Sequence, residues 1–386
     1  MTRLHYISPS VLPSRSANSV HVMHQCQGFL EVGVEISLYA KRASIPINKL
    51  ADEIGRNYGI DVRGWDLLTF QSNSSRADTL RIALMALGPV LRAPSSDLVL
   101  SRNLHAAWML AVARRPMLFE THQLEYGIRK SMQRWIMTRP WVRTVAISHS
   151  LVACLEEHHA LRLHDPVVLH DAAPDGIKRL EPEHRRYYLS EILKTTPSNL
   201  KKWSMICGYF GQLYAGRGIE IIEAMAHARP SSLFLVFGGD EAEVISRRVN
   251  APTNLRFMGH VAHPVSRAAQ AAVDVLLMPY QSSVSIGLSG HDTARWMSPM
   301  KMFEYLAAGV PIISSDLPVL NEVLMSGKNS LLVPPDNIEK WIAALDLFCK
   351  DSNFANTVGE IAHSQYRDQH TWRHRAEYLL SALKDL

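Results

Sequence analysis

Cysteine is scarce in this chain: Cys26, Cys154, Cys207 and Cys349 are the only four in 386 residues, far apart and without a C-x-x-C pair. That excludes a zinc-ribbon or disulfide-stapled scaffold and points to a reducing compartment. Long apolar runs are missing too. The run at 82–91 is closed by Arg81 and Arg92, about half of the roughly 20 residues a membrane-spanning helix needs. The first residues carry one early cation and too short an apolar stretch for a signal peptide. The expectation is a cytoplasmic protein. No low-complexity tract occurs, and 47% hydrophobic against 20% charged residues excludes a disordered chain.

What is present is a chain long enough for two domains. Lys plus Arg total 41 and Asp plus Glu 36, a net charge of +5. This excess is mild; it suits contact with anionic groups without calling for nucleic acid as a partner. It is also uneven. Residues 1–199 hold 24 Lys/Arg and 18 Asp/Glu, a net of +6, and the remainder 17 and 18, a net of −1.

Short apolar runs alternate with helical patterns in both halves. Expected strands are 4–8, 36–40, 98–101, 117–120, 145–148 and 167–170, then 205–208, 233–237, 255–258, 275–278, 311–314 and 330–333. Expected helices include 20–32, 104–113, 219–228, 265–271, 300–308, 338–348 and a final one at 366–386. Such alternation predicts an α/β protein of two doubly wound, Rossmann-like domains facing across a cleft. The domains run from 1 to 172, joined by the tail 366–386, and from 203 to 365. A charged, proline-containing linker at 173–202 separates them.

Ligands of such sheets bind where strands lead into helix N-termini. One such loop runs from Gly208 to Gly218, with Gly211, Gln212, Gly216 and Arg217. It reads as a phosphate cradle or as a flexible turn, and it is neither G-x-G-x-x-G nor a P-loop. A second begins at Ser298, an expected N-cap, with Pro299 at the first helical position. Lys301 and Glu304 follow at i and i+3, either as a local ion pair or as groups for a phosphate and a ribose diol.

The run Lys301-Met302-Phe303-Glu304-Tyr305-Leu306-Ala307-Ala308-Gly309-Val310-Pro311, followed by Glu322 and by Asn329 to Pro334, resembles the donor-site signature of retaining glycosyltransferases of family 4. The Gly211–Gly218 loop is similar to that family's phosphate loop. Phe237-Gly238-Gly239-Asp240 and Phe257-Met258-Gly259-His260-Val261 match two further landmarks in order and spacing. The resemblance spans about residues 208–333 and implies GT-B architecture, with a nucleoside diphosphate sugar held by the second domain. It puts Arg217 in the place of the phosphate-binding lysine and Glu304 on the ribose. Gly211, Gln212, Gly238, His260, Val261, Ser298 and Lys301 fall in the donor site.

Two departures stand out. Gln212 replaces a usual arginine, for which Lys301 would compensate, and Trp296 replaces the first glutamate of the E-x7-E motif. Asp292 or the Ser298 region is then left to meet the donor sugar. In the first half, Arg15, Asn18 and Ser19 occupy the loop after the first strand. Glu120 and His122 close a later strand, where the family places a histidine near the reacting sugar.

Metal is not expected: His158-His159 and His370/His374 lack a third ligand at suitable spacing, and no Asp-x-Asp occurs. No other cofactor is called for. Gly287-Leu288-Ser289-Gly290 is one residue short of a serine-hydrolase elbow. Residues 126–155 hold Arg129, Lys130, Arg134, Arg139 and Arg143 without acids, and Trp135 and Trp141. They read either as a surface for an anionic membrane, at the inner face of the cell membrane, or as a solvated basic helix. The leading expectation is a metal-independent retaining glycosyltransferase acting on a surface glycan or lipid-linked acceptor. A sugar-nucleotide epimerase and a non-catalytic sugar-nucleotide-binding subunit are the alternatives.

Overall fold

The computed structural model describes residues 2–75, 77–285 and 292–384. The Gly287–Gly290 near-motif lies outside them. The chain divides into two compact units, residues 2–174 with 371–384, and residues 175–370.

In the first unit the order is β1 (Arg3–Leu12), α1 (Ala17–Glu31), β2 (Glu35–Arg42), α2 (Leu50–Tyr58), β3 (Asp66–Gln71), α3 (Asp78–Arg92), β4 (Leu98–Ser101), α4 (Leu104–Val112), β5 (Met117–Thr121), α5 (Ile128–Met137), β6 (Val142–Ala146), α6 (His149–His159) and β7 (Val167–Val168). The second holds α7 (Pro182–Ile192), α8 (Pro197–Lys201), β8 (Ile206–Phe210), α9 (Ile219–Ala228), β9 (Leu233–Phe237), α10 (Glu241–Arg248), β10 (Leu255–Gly259), α11 (His263–Ala272), β11 (Val275–Met278), α12 (Met300–Ala308), β12 (Ile312–Ser315), β13 (Leu331–Val333), α13 (Ile338–Lys350) and α14 (Ser352–Gln369). The chain then returns to the first unit as α15 (Trp372–Lys384).

Every strand pairing is parallel. Several central strands are continuous apolar runs because helices cover both sheet faces, as in Leu233–Phe237, where all five residues are buried. Sheet order is β3-β2-β1-β4-β5-β6-β7 in the first unit and β10-β9-β8-β11-β12-β13 in the second. Order reverses beside β1 and β4, and again beside β8 and β11. Those reversals open a crevice at the strand C-termini of each sheet, the usual ligand position in this fold class.

The structure differs from expectation at three places. β3 was not anticipated: it is an edge strand whose residues are only half buried, so it lacks an apolar run. The expected linker folds instead. Its α7 and α8 belong to the second unit, with Leu189 and Leu200 buried. Proline composition misled there because Pro182 and Pro197 open these helices at their first residues, where a missing N–H costs nothing. The tail is not one helix from 366: α14 ends at Gln369 and α15 starts at Trp372, whose N–H donates to the Ala173 carbonyl (3.1 Å).

Candidate functional site

The loop from β8 to α9 is tightly packed. Gly218, the N-cap of α9, has φ +76°, and a Cβ there would lie 1.8 Å from the Pro279 carbonyl oxygen. A Cβ on Gly238 (φ +113°) would lie 2.0 Å from the Gly211 carbonyl oxygen. Only glycine allows these backbones to approach so closely. Arg217 donates to Tyr280 Oη (3.0 Å) and to the Ser285 carbonyl (3.2 Å). Lys301 does not pair with Glu304. Its Nζ is buried, lacks a hydrogen-bond partner among the described residues, and sits 4.0 Å and 5.0 Å from the ring centres of Tyr209 and Tyr280. Burial, and then the Arg217 charge, push the Lys301 amine well below its ordinary pKa. Two cationic side chains thus share one aromatic wall with no carboxylate on either among the described residues. An anion is the kind of ligand that would complete such an arrangement.

Glu304 is also buried, but it is occupied. His263 Nε2 hydrogen-bonds one carboxylate oxygen and Gln270 Nε2 donates to the other (3.0 Å). Burial raises the Glu304 carboxyl, but the His263 charge and hydrogen bond and the Gln270 bond outweigh it and hold the pKa below the usual range. His263, Arg267 and Gln270 stand at i, i+4 and i+7 on α11 and so share one face. That spacing was the available signal for two residues the sequence reading missed. Tyr209 and Tyr280 were missed because they lie at the ends of separate strands.

Of the other expected donor residues, Gln212 accepts Tyr209 Oη–H at its carbonyl (2.6 Å), and Gly238 N–H donates to the Gly259 carbonyl (2.8 Å). His260 and Val261 lie in the β10–α11 connection, His260 exposed. Ser298 is buried but is not the cap: α12 begins at Met300 with Pro299 as N-cap and no side-chain cap bond. Trp296 is half buried in the turn before α12. Asp292 is spent on that turn, its carboxylate accepting from Val284 N (2.8 Å) and Ala294 N (2.9 Å).

In the first unit, β1 extends through the expected loop to Leu12 and α1 begins at Ala17. Of Arg15, Asn18 and Ser19, only Arg15 is exposed. Ser19 is fully buried and donates to the Val11 carbonyl (2.8 Å), and Asn18 donates to Ser10 Oγ (2.8 Å). These two brace the β1–α1 turn.

Glu120 and His122 belong to a buried network at the ends of β1, β4 and β5. One Glu120 oxygen receives His122 Nε2 (2.7 Å) and Arg375 Nη2 (2.9 Å), with His21 Nε2 at 3.2 Å. His21 Nδ1 meets Asp171 (2.8 Å), and His122 Nδ1 meets Arg102 Nη2 (3.0 Å). Burial raises the Glu120 carboxyl, but Arg375, His21 and His122 overcome it and hold the pKa well below the usual range. His122 is pushed down to about 4 by burial and then by Arg102. Sequence spacing carried no trace of His21, Arg102, Asp171 or Arg375 as neighbours.

This cluster also bears on the expectation of no metal. The ligand atoms of His21, Glu120 and His122 lie within 4.8 Å of one another, a spacing that fits a divalent ion. The donor chemistry does not fit. Arginine has no acceptor, so Arg102 must donate to His122 Nδ1, which places the proton on Nε2 where a metal would bind. Arg375 adds a positive charge on the shared carboxylate oxygen.

Among the described residues no helix is long and apolar enough to cross a membrane. In the 126–155 stretch, Arg129 pairs with Glu125 and Arg143 with Asp165. Trp141 Nε1 donates to the Ala111 carbonyl (2.9 Å). The Trp108 and Trp135 rings lie 6.3 Å apart, with Arg139 stacked on Trp135 and Ile128 82% exposed.

Comparison with known proteins bears on the fold and on part of the second unit. Phosphatidyl-myo-inositol mannosyltransferase of Mycolicibacterium smegmatis is 29% identical over 135 residues, 35% of this chain and 31% of that protein's length. The chain therefore matches less than a third of that relative. Two solved structures superpose over the whole chain: sucrose-phosphate synthase of Thermosynechococcus elongatus (TM-score 0.73, 14% identity, 99% of that chain) and Anabaena HepE with UDP and glucose (TM-score 0.72, 13% identity, 100% of that chain). They establish the fold as GT-B: two Rossmann-like α/β domains. Residues 205–351 match the family profile of glycosyl transferases group 1. That matched stretch lies in the second unit and holds its glycine-braced loop, Lys301 pocket and Glu304.

Proposed function

We propose that this protein is a retaining glycosyltransferase that takes a sugar from a nucleoside diphosphate sugar without a metal ion. The observation that carries this reading is the Lys301–Arg217 pair against Tyr209 and Tyr280, the lysine amine buried and the arginine half buried, with no acid on either among the described residues. The diphosphate lies over the Gly211–Gly218 turn and completes that charge. As the sugar C1–O bond breaks, the diphosphate leaves with the electron pair, and both cations stabilise the growing negative charge. The acceptor hydroxyl oxygen bonds to C1 on the same face, and its proton passes to the departing phosphate. Glu304 receives the ribose diol, sharing lone pairs now used by His263 and Gln270. The chemistry requires no carboxylate nucleophile.

An epimerase would need free acid and base carboxylates, and both candidates, Glu120 and Asp292, are committed within the protein. The similarity to phosphatidyl-myo-inositol mannosyltransferase favours a lipid-linked acceptor, with a surface glycan as the other choice. A membrane contact fits the Trp108, Ile128 and Trp135 surface with Lys130, Arg134 and Arg139, placed at the inner face of the cell membrane.

A panel of nucleotide sugars, read by released diphosphate in the presence of a chelator, tests the reading. Turnover that survives chelation supports it. Binding of a donor without turnover on any acceptor extract leaves the non-catalytic subunit instead. Glu304→Ala is expected to weaken donor binding by about 10–100-fold, from hydrogen bonds to a charged group of about 1.5–3 kcal/mol.

A further inference from the structure

We propose that Arg375, Glu120, His21 and Asp171 form a positioning network that fixes the His122 imidazole neutral with its proton on Nε2. His122 then works as an oriented, non-titrating group, neither acid nor base. Its part in sugar transfer rests on the function proposed above; its tautomer rests on geometry alone.

Two constraints meet on one ring. Arg102 Nη2, 3.0 Å from Nδ1, can only donate, so Nδ1 carries a lone pair. The Glu120 carboxylate, 2.7 Å from Nε2, can only accept, so Nε2 carries the proton. An imidazolium would set Nδ1–H against the arginine N–H. The opposite tautomer would leave both contacts repulsive.

The rest of the network fixes the carboxylate. Arg375 comes from α15, 255 positions away in sequence, and reaches Glu120 while also binding Gln25 and the His170 carbonyl (3.1 Å). His21, held at Nδ1 by Asp171, closes the other side, and the Trp372 ring meets it edge-on at 4.9 Å. α15 itself is seated by close contact: a Cβ on Gly28 would lie 2.4 Å from the Trp372 carbonyl oxygen. The charged and titratable groups around His122 are thus Arg102 after β4, Glu120 on β5, His21 on α1, and at one remove Asp171, Arg375 and Tyr6. The low proton affinity of His122 agrees with this surrounding.

The test is nitrogen NMR of uniformly 15N-labelled full-length protein, with His122 identified by its loss in His122→Gln. The expected result is one protonated nitrogen at Nε2 and one bare nitrogen at Nδ1, unchanged from pH 8 to about 5. A ring that titrates near the ordinary histidine value, or carries its proton on Nδ1, overturns the proposal. So does Zn²⁺ shifting the Nε2 signal. In Arg102→Gln the ring should begin to titrate, and kcat should fall about tenfold per pH unit below the new midpoint with KM unchanged. A packing role alone would not add that ionisation; its absence in folded Arg102→Gln counts against the proposal. The wild-type spectrum decides the tautomer even where a variant does not fold. A locked tautomer in a protein that transfers no sugar would overturn the function instead.

Discussion

Both units bury charge at the C-terminal ends of a parallel sheet, and they handle it in opposite ways. In the first, each carboxylate of the network has a side-chain partner: Glu120 has Arg375, and Asp171 has His21. In the second, Lys301 and Arg217 sit together and, among the described residues, neither touches an acid. A buried ion pair with satisfied partners is self-sufficient and orients its neighbours. A buried cation left without one is stable only marginally, and gains most when a ligand supplies the missing charge. The contrast extends to whole units. By sequence the first unit has 22 Lys/Arg and 16 Asp/Glu, the second 19 and 20. The proposed anion pocket lies in the unit with net charge −1, so on this reading local pairing decides where an anion binds, not net charge.

The largest expected effect comes from breaking the paired side. Arg375→Met leaves the Glu120 charge buried without its main partner and should lower stability by about 3–5 kcal/mol. Denaturant unfolding of the variant measures it, and adding Glu120→Gln should recover much of the loss. If the double variant is as unstable as the sum of the singles, the pair is not coupled and the comparison fails.

The unpaired side should respond with the opposite sign. Lys301→Met removes a buried amine without a partner, so the unfolding temperature should rise by a few degrees, about 1 kcal/mol. Turnover of the donor should nevertheless fall by about 10²–10³-fold. Loss of both stability and activity would mean that Lys301 has a protein partner and is not poised for an anion.

Acid should test the paired side as well. His122 is depressed from an ordinary 6.5 to about 4. Above about 6.5 it is neutral in both folded and unfolded chains; between there and about 4 only the unfolded chain takes up the proton. Stability therefore falls as pH drops through that window, by up to about 3 kcal/mol for this group. Glu120 and Asp171, both held below their ordinary values, add to the loss at lower pH. Unfolding free energies between pH 7 and 4 check this, and His122→Gln should flatten the upper part of the slope.

The two clusters also differ in how readable they were. The donor side was legible because its residues come in short linear runs: Gly211 to Gly218 as one loop, and Lys301 with Glu304 on one helix turn. What was misread there depended on tertiary contact. Lys301 and Glu304 look like an i, i+3 pair, yet α11 takes the glutamate and Tyr209 and Tyr280 take the lysine. The first unit's network was nearly illegible, since His21, Arg102, Glu120, Asp171 and Arg375 come from five segments that only the sheet order and the return of α15 unite. Fold class was readable from alternating strand and helix runs. β3 and the α7–α8 segment were not, the first because an edge strand needs no apolar run, the second because a proline at a helix start resembles a linker.

The smallest expected effect concerns the surface of the first unit, where charge is again partly committed. Arg129 and Arg143 already have Glu125 and Asp165, so only Lys130, Arg134 and Arg139 remain for an anionic partner beside Trp108, Ile128 and Trp135. Arg134 also donates to the His159 carbonyl and Arg139 to the Trp135 carbonyl (3.2 Å), but a carbonyl leaves the guanidinium charge uncancelled. Each such cation near an anionic surface contributes about 1 kcal/mol. Lys130→Gln should therefore weaken sedimentation of the full chain with phosphatidylglycerol-containing vesicles by about fivefold, and Arg129→Gln by much less. Raising salt should abolish the difference between them, because the interaction decays within a Debye length of about 10 Å at 0.1 M. Equal losses from Lys130→Gln and Arg129→Gln would show that pairing does not govern this surface, and the rule drawn from the two buried clusters would end at the protein interior.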